Sequence, residues 1–126
     1  MKKIVKTNKA PEPVGPYNQA VIHNNTMYIS GQIALDPYTK ELVINDLKKE
    51  TMLVMNNLKA ILENENLSFE NVIKSSIFLS DMGSFKEVNE IYGSFFNKGN
   101  EPARETVEVS KLPLGVNVEI SMIAGL

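Results

Sequence analysis

Between Asp46 and Phe96 the apolar residues switch from a helical spacing to a strand spacing and back again. In "DLKKETMLVMNNLKAILENEN" (46–66), Leu47, Val54, Leu58, Ile61 and Leu62 recur near helical intervals. Thr51 fills the gap, Met52 and Met55 thicken the stripe, and Asp46 or Asn45 suits the N-cap. In "NVIKSSIFLSD" (71–81) the period drops to two, which predicts a strand with Ile73, Ile77 and Leu79 on one face. The helical interval returns in "FKEVNEIYGSFF" (85–96), where Phe85, Val88, Ile91, Tyr92, Phe95 and Phe96 make a wide stripe with Asn89 beside it. Ser84 and Glu87 have the S-x-x-E form of a capping box in front of that helix. A chain that alternates in this way must lay two helical stripes on a sheet.

The flanking segments supply the remaining strands. "KAPEPVGPYN" (9–18) holds three prolines and a glycine and reads as a stiff, irregular loop. "QAVIH" and "TMYISG" flank Asn24-Asn25, a pair that tolerates the positive φ of a two-residue hairpin turn. "LDPYTKE" (35–41) is a turn centred on Asp36-Pro37. After a loop at 97–102, two strands are expected at 103–110 and 116–124, joined through "KLPLG". The predicted order is β-β-α-β-α-β-β, with room for a further N-terminal strand. That is one α+β domain over 1–126, a mostly antiparallel sheet with two helices packed on one face.

In the segment 103–110, Ala103, Glu105, Val107 and Val109 alternate with Arg104, Thr106, Glu108 and Ser110. The second set is entirely polar. It can meet water, or it can meet another subunit. Glu119 lies on the polar side of the last strand with Asn117 and Ser121. If the last two strands form a hairpin, Glu119 comes near Thr106, one cross-strand pair from Arg104.

Composition removes several chemistries. There are no cysteines, hence no disulfide, thiolate metal site or cysteine nucleophile. This fits a reducing cytoplasm, and the start "MKKIVKTNKAPEP" has no apolar core of a signal peptide. No apolar run approaches the roughly 20 residues of a membrane span. A single histidine, His23, argues against a multi-histidine metal site and against a Ser-His-Asp triad. The formal net charge of −2 does not suit a nucleic-acid platform. Any catalysis would rest on carboxylate, arginine, tyrosine, amide and backbone groups, with no metal and no cofactor implied.

Four collinear stretches, "GPYNQAV" (15–21), "YISGQIALDP" (28–37), "VNEIYGSFF" (88–96) and "PARETVEVSKLPLGVNVEISMIA" (102–124), resemble the reactive-intermediate deaminase family, Rid or YjgF, in its imine-deaminating branch. The resemblance implies a chorismate-mutase-like fold and a homotrimer with sites in clefts between subunits. It implies hydrolysis of 2-imino acids, such as 2-iminobutanoate and 2-iminopropanoate, to 2-oxo acids and ammonia. Those imines and their enamines would come from pyridoxal-phosphate-dependent dehydratases. Arg104 matches the family's substrate-anchoring arginine and Glu119 its water-orienting carboxylate. Tyr17, Ser30, Gly31 and main-chain groups of Thr106 match its substrate contacts, while Asn89 would support or line the cleft. Thr106 stands where many relatives carry cysteine, and Lys40 where glycine often follows the turn.

Without the resemblance, each residue keeps another reading. Arg104 could pair with Glu119 or snorkel at a sheet edge. Glu119 could be a solvated charge, Tyr17 a loop side chain on a core edge, and Gly31 a β-bulge glycine. At the level of function, a ribonuclease or translation inhibitor, and a non-catalytic module that binds 2-oxo acids, are the alternatives to a deaminase.

Overall fold

The computed structural model describes residues 1–126. Its order is β1 (Lys3–Val5), β2 (Ala20–His23), β3 (Thr26–Gln32), α1 (Leu47–Glu63), β4 (Val72–Leu79), α2 (Phe85–Gly93), β5 (Ala103–Glu108) and β6 (Val118–Gly125). The six strands form one sheet in the order β1-β2-β3-β6-β4-β5. Every neighbouring pair is antiparallel except β4 and β5, which run parallel. The hairpin between β2 and β3 turns at Asn24, whose φ is 56°. No helix is long and apolar enough to cross a membrane.

The core lies on one side of the sheet. Met27 and Ile29 of β3, Ile77 and Leu79 of β4, and Val118, Ile120 and Met122 of β6 pack against Val54, Met55, Leu58, Ile61 and Leu62 of α1 and against Val88 and Tyr92 of α2. The opposite face carries the alternate residues. Tyr28 and Val107 are exposed there, and Phe78 and Ile123 are half-buried.

Polar side chains tie the loops to this frame. Asp46 caps α1 by accepting from the Lys48 and Lys49 amides. Glu50, fully buried in the first turn, accepts from the backbone amides of Asn117 (2.7 Å) and Val118 (3.1 Å) and from the Asn117 side-chain amide (2.7 Å). One carboxylate thus fixes the start of β6. Gln19 does the same for the first loop. It accepts from the Thr7 amide and donates to the carbonyls of Thr7, Ala10 and Pro11.

Four local expectations are corrected. β5 and β6 do not form a hairpin, because β4 lies between them: β5 takes the sheet edge, and the segment 109–117 carries the chain back past β4. Ile73 is not on the core face. A register irregularity between Val72 and Lys74 turns it outward, and the core face of β4 reads Val72, Ser75, Ile77 and Leu79. Ser84 makes no cap hydrogen bond. Asp81 instead accepts from the Gly83 amide and opens a 3-10 turn over Met82–Ser84 that leads into α2. Met52 faces solvent and only Met55 joins the stripe. The helices are also shorter than expected, and Phe95 and Phe96 pack edge-on against Phe69 beyond the end of α2.

Candidate functional site

The Gln19-anchored loop delivers Tyr17 to the end of β3. Tyr17 is partly exposed, and its hydroxyl accepts from the Val14 amide. Ser30 is held by its own hydroxyl, which donates to the Asn18 carbonyl at 2.6 Å. The register of β3 against β6 shifts between Ile29 and Gln32, so Ser30 and Gly31 form a bulge opposite β6. The glycine has a steric reason to be there. A Cβ at Gly31 would stand 2.8 Å from Glu119 Cδ and 3.0 Å from Oε2. The bulge therefore holds open the space that the Glu119 carboxylate fills.

Tyr17, Ser30, Gly31 and Glu119 together line a cleft of about 400 Å³, walled by Val14, Ile33 and Pro113. The Glu119 carboxylate makes no hydrogen bond and no ion pair within the chain. Burial alone pushes its carboxyl above the ordinary range. A desolvated, uncommitted carboxylate beside apolar walls is suited to hold a water molecule and take a proton from it.

Arg104 lies elsewhere. It pairs in register with Ser75 of β4, whose side chain faces the core, so Arg104 points to the helix side of the sheet. Its guanidinium carbon stands 5.1 Å from the centroid of the Tyr92 ring and 5.7 Å from that of Phe85. Asn89, Glu90, Glu101 and Arg104 line a second cleft, of about 390 Å³, between α2 and β5. Glu101 does not pair with the arginine; it accepts from the Gly99 amide at 2.8 Å. Tyr92 donates from its hydroxyl to Ser75 Oγ at 2.9 Å. Burial raises the Tyr92 phenol above its usual value, while the Ser75 contact and the Arg104 charge pull the other way. Thr106 shares the arginine's face, opposite Ile77, and its hydroxyl is buried without a partner.

The expected seven residues therefore fall into two groups. Tyr17, Ser30, Gly31 and Glu119 meet in one cleft; Asn89 and Arg104 meet in another, with Thr106 two residues further along the same strand face. The expected adjacency of Arg104 and Glu119 is overturned. Glu119 pairs with Phe78, whose side chain lies on the face opposite Ser75, so the two charges lie on opposite faces of one sheet. Each reading of Arg104 as a partner of Glu119 within the chain falls with it. Sequence reasoning also missed Tyr92, Phe85 and Ser75 as neighbours of the arginine. The two aromatics were absorbed into a core stripe, and the one available signal was a serine at an apolar-face position of β4. His23 is exposed at the end of its hairpin strand. No group of three or more His, Asp and Glu side chains is placed to hold a metal ion.

Comparison with known proteins identifies the family of the chain. The family model described as Endoribonuclease L-PSP matches residues 7–126. The chain is 46% identical over 124 residues to a RutC family protein of Pyrococcus horikoshii, covering 98% of each. It is 44% identical over 124 residues to the mouse 2-iminobutanoate/2-iminopropanoate deaminase, covering 98% of this chain and 91% of that one. Among solved structures, a conserved Rid family protein of unknown function from Yersinia pestis superimposes over the full length of both chains with a TM-score of 0.96 at 41% identity. With a whole-length α+β fold in common and sequence identity above two-fifths, this chain belongs to the Rid family, the group also described as RutC and Endoribonuclease L-PSP proteins.

Proposed function

We propose that the protein hydrolyses reactive 2-imino acids and their enamine tautomers, such as 2-iminobutanoate and 2-iminopropanoate, to 2-oxo acids and ammonia. The observation that carries this reading is the pair of uncommitted, opposite charges. Arg104 has a free guanidinium in one cleft, and Glu119 has a free, desolvated carboxylate in another. A 2-imino acid requires both. Its carboxylate suits the planar fork of an arginine. Its C=N carbon requires a water molecule from which a proton can be taken.

Because the two groups lie on opposite faces of one sheet, a complete site on this reading joins the Arg104 cleft of one copy to the Glu119 cleft of another. A homotrimer closes such contacts in a ring. The partly exposed apolar residues of the open sheet face, Tyr28, Phe78, Val107 and Ile123, favour burial against further copies.

The reaction then runs as follows. Water adds to the iminium carbon while Glu119 takes one of its protons, giving a carbinolamine. The protonated Glu119 returns that proton to the amino nitrogen. The C–N bond breaks, the carbinol O–H proton leaves with the ammonia as ammonium, and a 2-oxo acid remains on Arg104. Tyr17, Val14 and Ile33 enclose the short side chain. Ser30 and the main chain around Thr106 border the nitrogen. The mouse relative's name supports this substrate class.

The test generates 2-iminobutanoate in situ with a threonine dehydratase and traps it competitively with semicarbazide. Wild type should divert the imine to 2-oxobutanoate, and Arg104→Ala and Glu119→Gln should not. Glu119→Gln should retain affinity for 2-oxobutanoate itself, whereas Arg104→Ala should lose it. Equal and mild effects of both substitutions on turnover would refute the division of roles. A light-scattering mass of one chain at micromolar concentration would refute the shared site.

The family description favours a second reading, cleavage of RNA. It predicts binding that weakens steeply with salt and cleavage that is lost in Arg104→Ala. A chain with 15 acidic and 13 basic residues and one exposed histidine offers such a reaction little.

A further inference from the structure

Arg104 is held in an unusual way for a strand arginine. It has no hydrogen bond and no ion pair, although Glu90 and Glu101 line the same cleft. What surrounds it is aromatic. Tyr92 and Phe85, at opposite ends of α2, bring their rings to 5.1 and 5.7 Å from the guanidinium carbon. The Tyr92 ring is itself fixed, because its hydroxyl donates to Ser75 Oγ. Ser75 is the residue in register with Arg104 on the adjacent strand, and it is fully buried. The strand partner of the arginine thus holds the ring that holds the arginine.

We infer that Phe85, Tyr92 and Ser75 are positioning residues that orient the Arg104 guanidinium for carboxylate capture; the inference rests on the proposed anchoring role of Arg104. The physical reason is one of free valence. A carboxylate would orient the guanidinium by consuming its N–H donors. Aromatic rings attract the cation through their electron-rich faces and leave the in-plane donors for the substrate. Glu101, by accepting from Gly99, stays out of competition with an incoming anion. The small serine is required at its position, since a larger apolar residue there would displace the Tyr92 hydroxyl.

The experiment is a double-mutant cycle read in two ways, the Kd for the unreactive product 2-oxobutanoate by calorimetry and the kcat and KM for in situ 2-iminobutanoate. Phe85→Leu, on a half-buried side chain, should raise both Kd and KM by about 3- to 30-fold with kcat within about twofold. In an Arg104→Lys background the same substitution should change Kd by less than about twofold, because an ammonium has no plane to orient. Tyr92→Phe keeps the ring and should retain more affinity than Tyr92→Leu. Should Tyr92→Leu fail to fold, the Phe85 cycle decides alone. Additive effects of Phe85→Leu and Arg104→Lys, or a Phe85→Leu variant that binds 2-oxobutanoate like wild type, overturn the inference. If wild type binds 2-oxobutanoate but hydrolyses no imine, the deaminase reading falls and the Kd cycle still judges the cradle. If wild type binds no 2-oxobutanoate, both fall.

Discussion

Replacing Gly31 by alanine separates the site from the fold. The new Cβ would stand 2.8 Å from Glu119 Cδ and 3.0 Å from its Cγ and Oε2. An ordinary contact between carbon atoms is about 3.5–4.0 Å, so the carboxylate must retreat by roughly 0.7 Å or more. It can do so at little expense, because it is the free end of a side chain with no hydrogen bonds to break. Gly31 does not have a positive φ, so alanine meets no backbone strain there. Its lower unfolded-state entropy should stabilise by about 0.4–1 kcal/mol, offsetting the crowding. On the proposed reading, in which Glu119 handles the attacking water, the function has no such margin. Displacing a reacting group by about 1 Å can cost on the order of 100-fold in rate. Gly31→Ala should therefore lower kcat by roughly 10- to 100-fold while the thermal midpoint moves by a few degrees at most. The dehydratase-coupled assay and a thermal melt read the two quantities on one preparation. A variant that turns over within about twofold of wild type would refute the claim that the bulge exists to seat the Glu119 carboxylate.

Three further outcomes follow from the same contacts. Because burial raises the Glu119 carboxyl, the folded chain keeps that proton to higher pH than the unfolded chain, and stability falls as pH rises from the ordinary glutamate range through the raised value. Glu119→Gln should thus melt above wild type near pH 7, lose that advantage near about pH 3, and be inactive at both; a lower melting point at pH 7 would contradict this. Glu50→Ala leaves the amides of Asn117 and Val118 buried without an acceptor and should cost roughly 2–5 kcal/mol in urea denaturation, whereas a loss below about 1 kcal/mol would mean that water replaces the carboxylate. Lys40 holds a φ of 66°, a conformation that glycine adopts without strain, and Lys40→Gly should gain roughly 0.5–1 kcal/mol in the same assay with kcat unchanged.

Local signals in the sequence were legible where one residue decides the matter. Asp46 caps α1, Asn24 turns the hairpin, and the stripe from Val54 to Leu62 is the buried one. The further N-terminal strand for which the predicted order left room is present as β1. What failed was pairing at long range. Alternation in 103–110 and 116–124 identifies two strands and says nothing about which neighbours they take. The chain joins β4 to β5 in parallel and inserts β6 between β3 and β4, which puts Val118, Ile120 and Met122 of β6 in the core beneath the helices. The expected strand ends left only five residues, Lys111 to Gly115, a length that a hairpin accepts, whereas the observed ends leave nine, Val109 to Asn117. Ile73 was misplaced because a bulge shifts the alternation by one residue, which no period count detects. The same limit governed the site. Arg104 and Glu119 could each be singled out by residue type and strand face, but the hairpin assumption put them on a common face. The cradle of Phe85 and Tyr92 was hidden because an aromatic that serves a guanidinium and one that fills a core look alike in a helical stripe.

The separation of Arg104 and Glu119 across one sheet has a genetic corollary on the proposed reading. A defect in either residue disables only one half of what a chain contributes. A cell that expresses an Arg104→Ala allele together with a Glu119→Gln allele would make two dead products. Their mixed assemblies would still contain some junctions where an intact arginine from one product meets an intact glutamate from the other. Two null alleles of a single gene would then complement each other, and the strength of the rescue would count how often unlike chains stand side by side.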